Sequence, residues 1–187
     1  MKKLYIFFFS TLFYTSISAQ APSYVDFELD VFRFGYVFDV GGDADGGGAF
    51  GGELRYNATD FFSIGLSGDA AFISGNLGPD VDFGITGNSL IVGDYYLNNT
   101  SGQRPFFGLG VGLYSTGSVT VRDGSIEEII EGTTGAGLAP RAGYEFGHVR
   151  LQGQYNLTLK EGHTDYFSVS LAITLWGGYR GSGRDFE

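Results

Sequence analysis

Seven charged side chains of both signs occupy alternate positions in stretches that are otherwise rich in apolar residues. They are Arg33, Glu53, Arg55, Asp69, Arg141, Glu145 and Arg150. A carboxylate or guanidinium removed from water is costly unless it meets a partner of opposite charge. If one enclosed face holds all seven, we expect a polar network of ion pairs and hydrogen bonds. The alternative is a charged constriction in a narrow pore, with space left by Gly108, Gly110 and Gly112.

The sequence offers little support for catalysis or metal binding. Of its two histidines, only His163 has Asp165 and Ser168 close by in sequence, and no second feature supports a general base there. The segment 39–48 carries three carboxylates but lacks the closing glutamate of a calcium-binding EF-hand loop. We therefore predict no catalytic residues, no metal site and no cofactor, and a protein that is not an enzyme.

The clearest structural element is a hairpin over residues 137–159. From Val149 onward the odd positions are mostly apolar and the even positions polar, a period of two that places the two sets on opposite faces of a strand. The preceding segment, 137–146, alternates in the same way. A two-residue turn at Gly147 and His148 would set Glu145 directly across from Arg150.

The same alternation recurs along the chain and predicts eight strands joined as an up-and-down meander. The predicted strands are 26–38, 49–57, 61–72, 82–97, 105–115, 137–146, 149–159 and 166–176. In the first strand the apolar phase shifts by one residue between Val31 and Phe32, which predicts a β-bulge. Alternation fails around Leu90 and Val92. Pro140 is expected to cause a local kink, because proline donates no hydrogen bond to a neighbouring strand.

Length and composition suit one exported domain. Lys2 and Lys3 precede an apolar run and then small residues, so residues 1–19 are predicted to be a signal peptide, followed by a barrel over 20–176 and a C-terminal tail over 177–187. The chain has no cysteine, which excludes a disulfide framework. Its formal net charge of −10 argues against nucleic acid as a partner.

Two architectures fit such a meander: a soluble ligand-binding barrel with an apolar interior, and a membrane barrel with an apolar exterior. The polar faces are poor in charge, and Lys160 is the only lysine after residue 19, whereas a water-facing surface carries many charges. Aromatic residues gather towards the strand ends, as they do at lipid interfaces. They are Phe38, Phe50, Phe72, Phe83 and Tyr166 at one rim, and Phe62, Tyr95, Phe107, Tyr144, Phe146 and Trp176 at the other.

Connection lengths point the same way. Counted along the chain, the odd connections are mostly long and the even ones short, and the longest is the predicted loop 116–133. Bacterial outer-membrane barrels have short periplasmic turns and longer external loops. Both termini are therefore predicted to lie in the periplasm. Within 116–133, Ile126, Ile129 and Ile130 fall at helical spacing, and this segment could form a helical turn or extend a strand.

With the hairpin YEFGHVRLQGQYNL, the segment PFFGLGVGLYS and the closing YFSVSLAITLW, the chain resembles the small outer-membrane β-barrel proteins of Gram-negative bacteria. It is similar to eight-stranded barrels of the OmpX and OmpW types, and its signal ending Ser-Ala-Gln is similar to those of Bacteroidetes. The resemblance implies an all-β, eight-stranded antiparallel transmembrane barrel in the outer membrane. The chain departs from this family in one respect. Such barrels often finish on an aromatic residue, whereas here eleven residues follow Trp176.

The sequence as a whole predicts a monomer that contacts outer-membrane lipids and has a structural, surface-interaction or small-ligand role with a side-chain-filled lumen. The loop 116–133 is the candidate contact for an extracellular partner. Two alternatives stay open at this point, namely a porin-like narrow channel for small or apolar solutes and a soluble, secreted lipocalin-like barrel.

Overall fold

Eight antiparallel strands form a single closed barrel in the computed structural model, in which every strand pairs with its neighbours in sequence and β8 pairs with β1. The structure describes residues 26–40, 46–74, 80–97, 103–122, 125–160 and 165–177. The strands are β1 (Phe27–Asp39), β2 (Gly46–Thr59), β3 (Phe62–Ser74), β4 (Asp80–Tyr96), β5 (Gln103–Arg122), β6 (Ser125–Phe146), β7 (Val149–Thr158) and β8 (Tyr166–Trp176). The predicted all-β class and strand number are confirmed.

The barrel is apolar outside and polar inside. Side chains alternate across each strand, so one set of positions faces the lumen and the other faces outward. Leu151 and Leu171 are 45% and 47% exposed, while Arg150 and Gln152 beside them are buried. A barrel with this arrangement offers no apolar interior for a lipocalin-like ligand. Its exterior instead matches the surface that a lipid bilayer requires.

The phase change in β1 is a β-bulge at Phe32, as the sequence predicts. The pairing of β1 shifts on the β2 side between Asp30 and Arg33, and on the β8 side between Val31 and Phe34. Phe32 has a φ of 59°, a left-handed conformation that is an outlier for a bulky residue. The extra residue lets Asp30 and Arg33, three positions apart, both face the lumen.

The predicted loop 116–133 is wrong, because most of it is strand. β5 and β6 pair as far as Arg122 with Ser125, which leaves a connection of residues 123–124. β4 follows β5 over this length, as far as the pair of Asp80 with Arg122. Asp-Gly is a strong two-residue hairpin signal, and Ile126, Ile129 and Ile130, which fall at helical spacing, are β-branched and favour strands. Of the two alternatives for this segment, the extended strand is the correct one. The neighbouring strands are also longer than predicted: β2 begins at Gly46, β4 at Asp80 and β5 at Gln103.

Pro140 does not disturb the register of β6. It pairs with Leu109 of β5, and on the β7 side the pairs Leu138 with Leu157 and Arg141 with Gln154 keep the same offset. The expected kink therefore does not shift the strand. Pro140 faces outward, and its missing donor affects only the β7 side of the ladder.

The predicted signal peptide lies outside the described residues, and so does the predicted tail apart from Gly177. No helix in the described part of the chain has the length and apolar character needed to cross a membrane.

Candidate functional site

The lumen gathers all seven of the charged residues named from the sequence. Arg33, Glu53, Arg55, Arg141, Glu145 and Arg150 are almost fully buried, and the Asp69 side chain is 14% exposed. Four further charged residues, which sequence reasoning left out of the site, join them: Glu28, Asp30, Asp94 and Arg104. These eleven side chains are called the plug below.

Arg55 and Arg104 form the part of the plug nearest the chain termini. Arg55 Nη1 lies 2.6 Å from Asp30 Oδ2, and Arg55 Nη2 lies 2.9 Å from Glu28 Oε2. Arg104 Nη2 bridges the two glutamates, at 2.7 Å from Glu28 Oε1 and 2.6 Å from Glu145 Oε1. The hydroxyl of Thr174 donates to Asp30 Oδ1 at 2.6 Å, which ties β8 to β1. Every carboxylate here meets a donor, as burial requires.

Arg141 and Arg150 link this layer to the middle of the barrel. Arg141 makes two hydrogen bonds each to Glu53, at 2.7 and 2.9 Å, and to Asp94, at 2.7 and 2.8 Å. Arg150 Nη2 donates to Asp94 Oδ2 at 2.5 Å, and Arg150 Nη1 lies 3.1 Å from Glu145 Oε2. Glu145 and Arg150 are directly opposite across the two-residue turn. Paired forks of this kind are among the stronger polar contacts in proteins.

Arg33 and Asp69 end the plug on the side away from the termini. Arg33 Nε lies 3.2 Å from Asp69 Oδ1, and Arg33 Nη1 lies 3.4 Å from Glu53 Oε2. Arg33 Nη2 also donates to the hydroxyl of Ser67 at 2.7 Å. These ion pairs of Arg33, Arg55, Arg104, Arg141 and Arg150 join residues on different strands, so the plug fills the cross-section.

Two aromatic rings complete the plug. The guanidinium carbon of Arg104 lies 4.0 Å from the centre of the Tyr96 ring, and that of Arg150 lies 3.7 Å from the centre of the Phe106 ring. Both rings are buried in the lumen. A guanidinium stacked on an aromatic face keeps its edge free for carboxylates, so the rings support the arginines without competing for their hydrogen bonds.

The four missed residues could have been identified by continuing the alternation of inward and outward positions from their neighbours along each strand. Ile85, Ile91 and Tyr95 face outward, so the even positions of β4, including Asp94, face the lumen. The inward Leu90 and Val92 concealed this, because they join a small apolar cluster inside the barrel. Arg104 was assigned to a turn, although it continues the inward phase of Phe106. Glu28 and Asp30 were recognised as polar positions but not as network members.

The glycines of β5 do not leave an open pore. Gly108 and Gly110 face inward, and a Cβ at Gly108 would collide with the Asp94 carboxylate, while one at Gly110 would lie against Leu90 and Ala139. Side chains from neighbouring strands, such as Asp94 and Leu90, occupy the space that side chains at these glycines would take. The interior is filled at this level.

The prediction that Tyr166 belongs to the outer aromatic rim is wrong. It points into the lumen and is 2% exposed, and Asn88 Nδ2 donates to its hydroxyl at 3.3 Å. Tyrosine tolerates this position because its hydroxyl finds a partner. The structure does not describe the side chain of Phe83. The other aromatic residues predicted at the two rims are exposed on the outer surface: Phe38, Phe50, Phe72, Phe62, Tyr95, Phe107, Tyr144, Phe146 and Trp176.

Beyond the plug, the lumen contains uncharged polar side chains beside the small apolar cluster. An amide ladder runs along β7, in which Gln152 Nε2 donates to Gln154 Oε1 at 3.0 Å and Gln154 Nε2 donates to Asn156 Oδ1 at 2.8 Å. The Tyr114 hydroxyl donates to the same Asn156 oxygen at 3.0 Å. The remaining cavity measures about 10 Å³, room for roughly one water molecule.

Elements of catalysis do not converge in the described residues. His148 lies in the turn before β7, where its Nδ1 is 3.2 Å from the carbonyl oxygen of Thr174. His163 is outside the residues that the structure describes. No group of three candidate metal ligands occurs in the described part of the chain. The plug can hold charge in place, but it presents no nucleophile beside a base.

Comparison with known proteins gives a match in structure alone. No protein-family model and no curated protein matches the sequence. The chain is similar to Neisserial surface protein A, at 14% identity and a TM-score of 0.54 over 83% of this chain and 97% of that one. It is also similar to Ail, the attachment invasion locus protein of Yersinia pestis, at 14% identity and a TM-score of 0.50 over 84% and 98%. The fold is that of small outer-membrane β-barrels. The resemblance drawn from the sequence is thus confirmed for the fold.

Proposed function

We propose that this barrel is an integral protein of a Gram-negative outer membrane and is exported by a cleaved signal peptide over residues 1–19. The belt of exposed Leu, Ile, Val and Phe around a charged lumen supports this location. The first residue of β1, Phe27, and the last residue of β8, Trp176, lie on the same side of the barrel as the two-residue turns 60–61 and 147–148. By the usual loop asymmetry, that end faces the periplasm.

We further propose that the barrel is monomeric and neither conducts nor catalyses, and that its role is structural or interactive. The observation that carries this proposal is the plug, whose ion pairs fill the lumen at the level of Glu53, Asp94 and Arg141. An ion crossing this level would have to separate buried charges from their partners, which is strongly unfavourable. A cavity of about 10 Å³ also admits no organic ligand into the lumen.

The first prediction concerns conductance. The protein should fractionate with membranes, require detergent for extraction, and give no steady open conductance in planar bilayers, because the plug blocks the lumen. Single-channel recording at stepped voltages measures this directly. Reproducible ohmic steps in the wild-type protein that disappear in Arg141→Ala would establish the alternative, a narrow channel. Bilayers treated with detergent alone are the control.

The hairpin of β5 and β6, which β4 flanks as far as Asp80, is the part best placed to meet a partner. β6 pairs with β7 only from Gly137 onward, whereas its pairing with β5 continues back to Ser125. At about 3.4 Å per residue, this section is long enough to extend well beyond a bilayer that tilted strands of about ten residues can span. A stable sheet outside the membrane supports a surface-interaction role.

A second prediction tests this role. Cells displaying the full chain should adhere to immobilised extracellular proteins more strongly than cells displaying a chain in which residues 118–130 are replaced by an Asn-Gly turn. The lumen is untouched by this change, so the shortened barrel should keep its resistance to SDS at room temperature, which serves as the folding control. Equal adhesion at equal surface levels would reject the hairpin as the contact.

A further inference from the structure

Residues of six strands line the small cavity beyond the plug. It is lined on one side by Asp69 and Asn88 and on the other by Gln154, Asn156, Tyr166 and Ser170. Asn88 and Asn156 are 6% and 0% exposed, so neither side chain is exposed to bulk solvent. The cavity is bordered by apolar residues, among them Ala49 and Ala71, as well as by these polar side chains. It is separate from the ion pairs of the plug except at Arg33 and Asp69.

Each asparagine uses one atom of its amide group and leaves the other without a partner. Asn88 Nδ2 donates to the Tyr166 hydroxyl, but Asn88 Oδ1 accepts no hydrogen bond among the described residues. Asn156 Oδ1 accepts from Tyr114 and Gln154, but Asn156 Nδ2 donates to nothing that the structure describes. Arg33 Nε, although 3.2 Å from Asp69 Oδ1, also makes no hydrogen bond of good geometry. All three residues line the same cavity.

Unpartnered buried polar atoms are rare, and each is costly. Here the residues that carry one unpartnered acceptor and two unpartnered donors all line a space that fits about one water molecule. A buried water typically makes about three hydrogen bonds to polar groups that would otherwise be unsatisfied. An ion fits less well, because the space borders a guanidinium, a carboxylate and amide atoms of both polarities.

We propose that the cavity is a binding site for a single structural water molecule. The water donates to Asn88 Oδ1 and accepts from Asn156 Nδ2 and Arg33 Nε, and so it joins β4, β7 and β1 across the lumen. The polar network of the interior then continues from the plug, through Arg33, to Tyr114 and Tyr166. The site goes beyond the proposed function, since it requires neither a closed lumen nor a surface partner.

Two substitutions at Ala71, one apolar and one with a hydroxyl, test the site. Ala71 lines the cavity and is buried. Ala71→Val puts methyl groups into the space and displaces the water, which strands the polar atoms. Ala71→Ser adds a hydroxyl that can itself donate and accept. We expect the equilibrium constant for unfolding in urea to be about tenfold larger for Ala71→Val than for Ala71→Ser, because the valine leaves buried polar atoms without a hydrogen-bond partner.

A dry cavity predicts the opposite order. Filling an empty space with methyl groups would stabilise the protein, so a valine variant at least as stable as the serine variant would overturn the proposal. Should the valine variant fail to fold, NMR of the wild-type barrel in micelles decides the question. Magnetisation transfer between a long-lived water and the side-chain amide of Asn156 is expected, and its absence from an assigned, resolved amide signal would refute the site.

Discussion

Replacing Arg55 by methionine should destabilise the barrel by about 3–5 kcal/mol, which is the cost of removing one partner from a buried ion pair. Arg55 lies within 2.9 Å of Glu28 and 2.6 Å of Asp30, and within 3.6 Å of Glu145. Glu28 and Glu145 keep Arg104 as a partner. Among the described residues, the Asp30 carboxylate keeps only the hydroxyl of Thr174 as a partner, so it bears most of the loss. Urea titration of the protein refolded in lipid vesicles measures the change.

A second substitution separates the effect of charge from that of shape. In the Arg55→Met background, Asp30→Asn removes the stranded negative charge and leaves an amide oxygen for Thr174, so it should restore part of the lost stability. Lys160→Met removes an exposed cation and should change stability by less than about 0.5 kcal/mol. If Arg55→Met costs less than about 1 kcal/mol and Asp30→Asn restores nothing, the plug is not held together by its charges.

Deleting Phe32 should prevent the barrel from forming. The bulge at this residue is what allows Asp30 and Arg33 to face the lumen together. Without it, residues 27–31 change faces relative to the rest of β1, because a slip of one residue moves every side chain to the other side of a sheet. Glu28 and Asp30 would then face lipid, where each charge is costly, while Phe27 and Leu29 would displace charged partners in the lumen.

The matched control for this deletion keeps the number of residues. Phe32→Gly retains the bulge, and glycine adopts a φ of 59° without the steric cost that a bulky side chain pays. Phe32 is 60% exposed, so its loss removes little packing. We expect the glycine variant to show β-sheet circular dichroism and heat-dependent mobility on SDS gels, and the deletion variant to show neither. A folded deletion variant of unchanged stability would contradict the role given to the bulge.

Properties of single strands were predictable from the sequence, because alternation and turn chemistry are local. The bulge at Phe32 appears as a break in alternation, and the pair Glu145 and Arg150 follows from the turn between them. The contact between Arg104 and Glu28 spans 76 positions of sequence and exists only once the barrel has closed with a particular register. No pattern along the chain encodes that distance, so the members of the plug could be proposed but not their partners.

The largest errors came from residues whose types fit two environments. Leu90 and Val92 are apolar but face inward, where the barrel interior contains a small apolar cluster beside the plug. Tyr166 has a ring suited to a lipid interface and a hydroxyl suited to the lumen. It lies in the lumen, where its hydroxyl accepts a hydrogen bond from Asn88. In both cases the constant phase of the strand was a better guide than the residue type.

The arrangement of the plug along the chain has a consequence for assembly. The strands β1–β4 contribute the carboxylates Glu28, Asp30, Glu53, Asp69 and Asp94 but only two arginines, Arg33 and Arg55. The strands β5–β8 contribute three arginines and the single carboxylate Glu145. Within the plug, the two halves thus carry uncompensated charge of opposite sign, and these side chains are expected to attract each other during insertion. The charges are neutralised only when the two sets of strands pair. A sheet that contains only one set is therefore unfavourable, and closure of the barrel is the step that lowers the free energy.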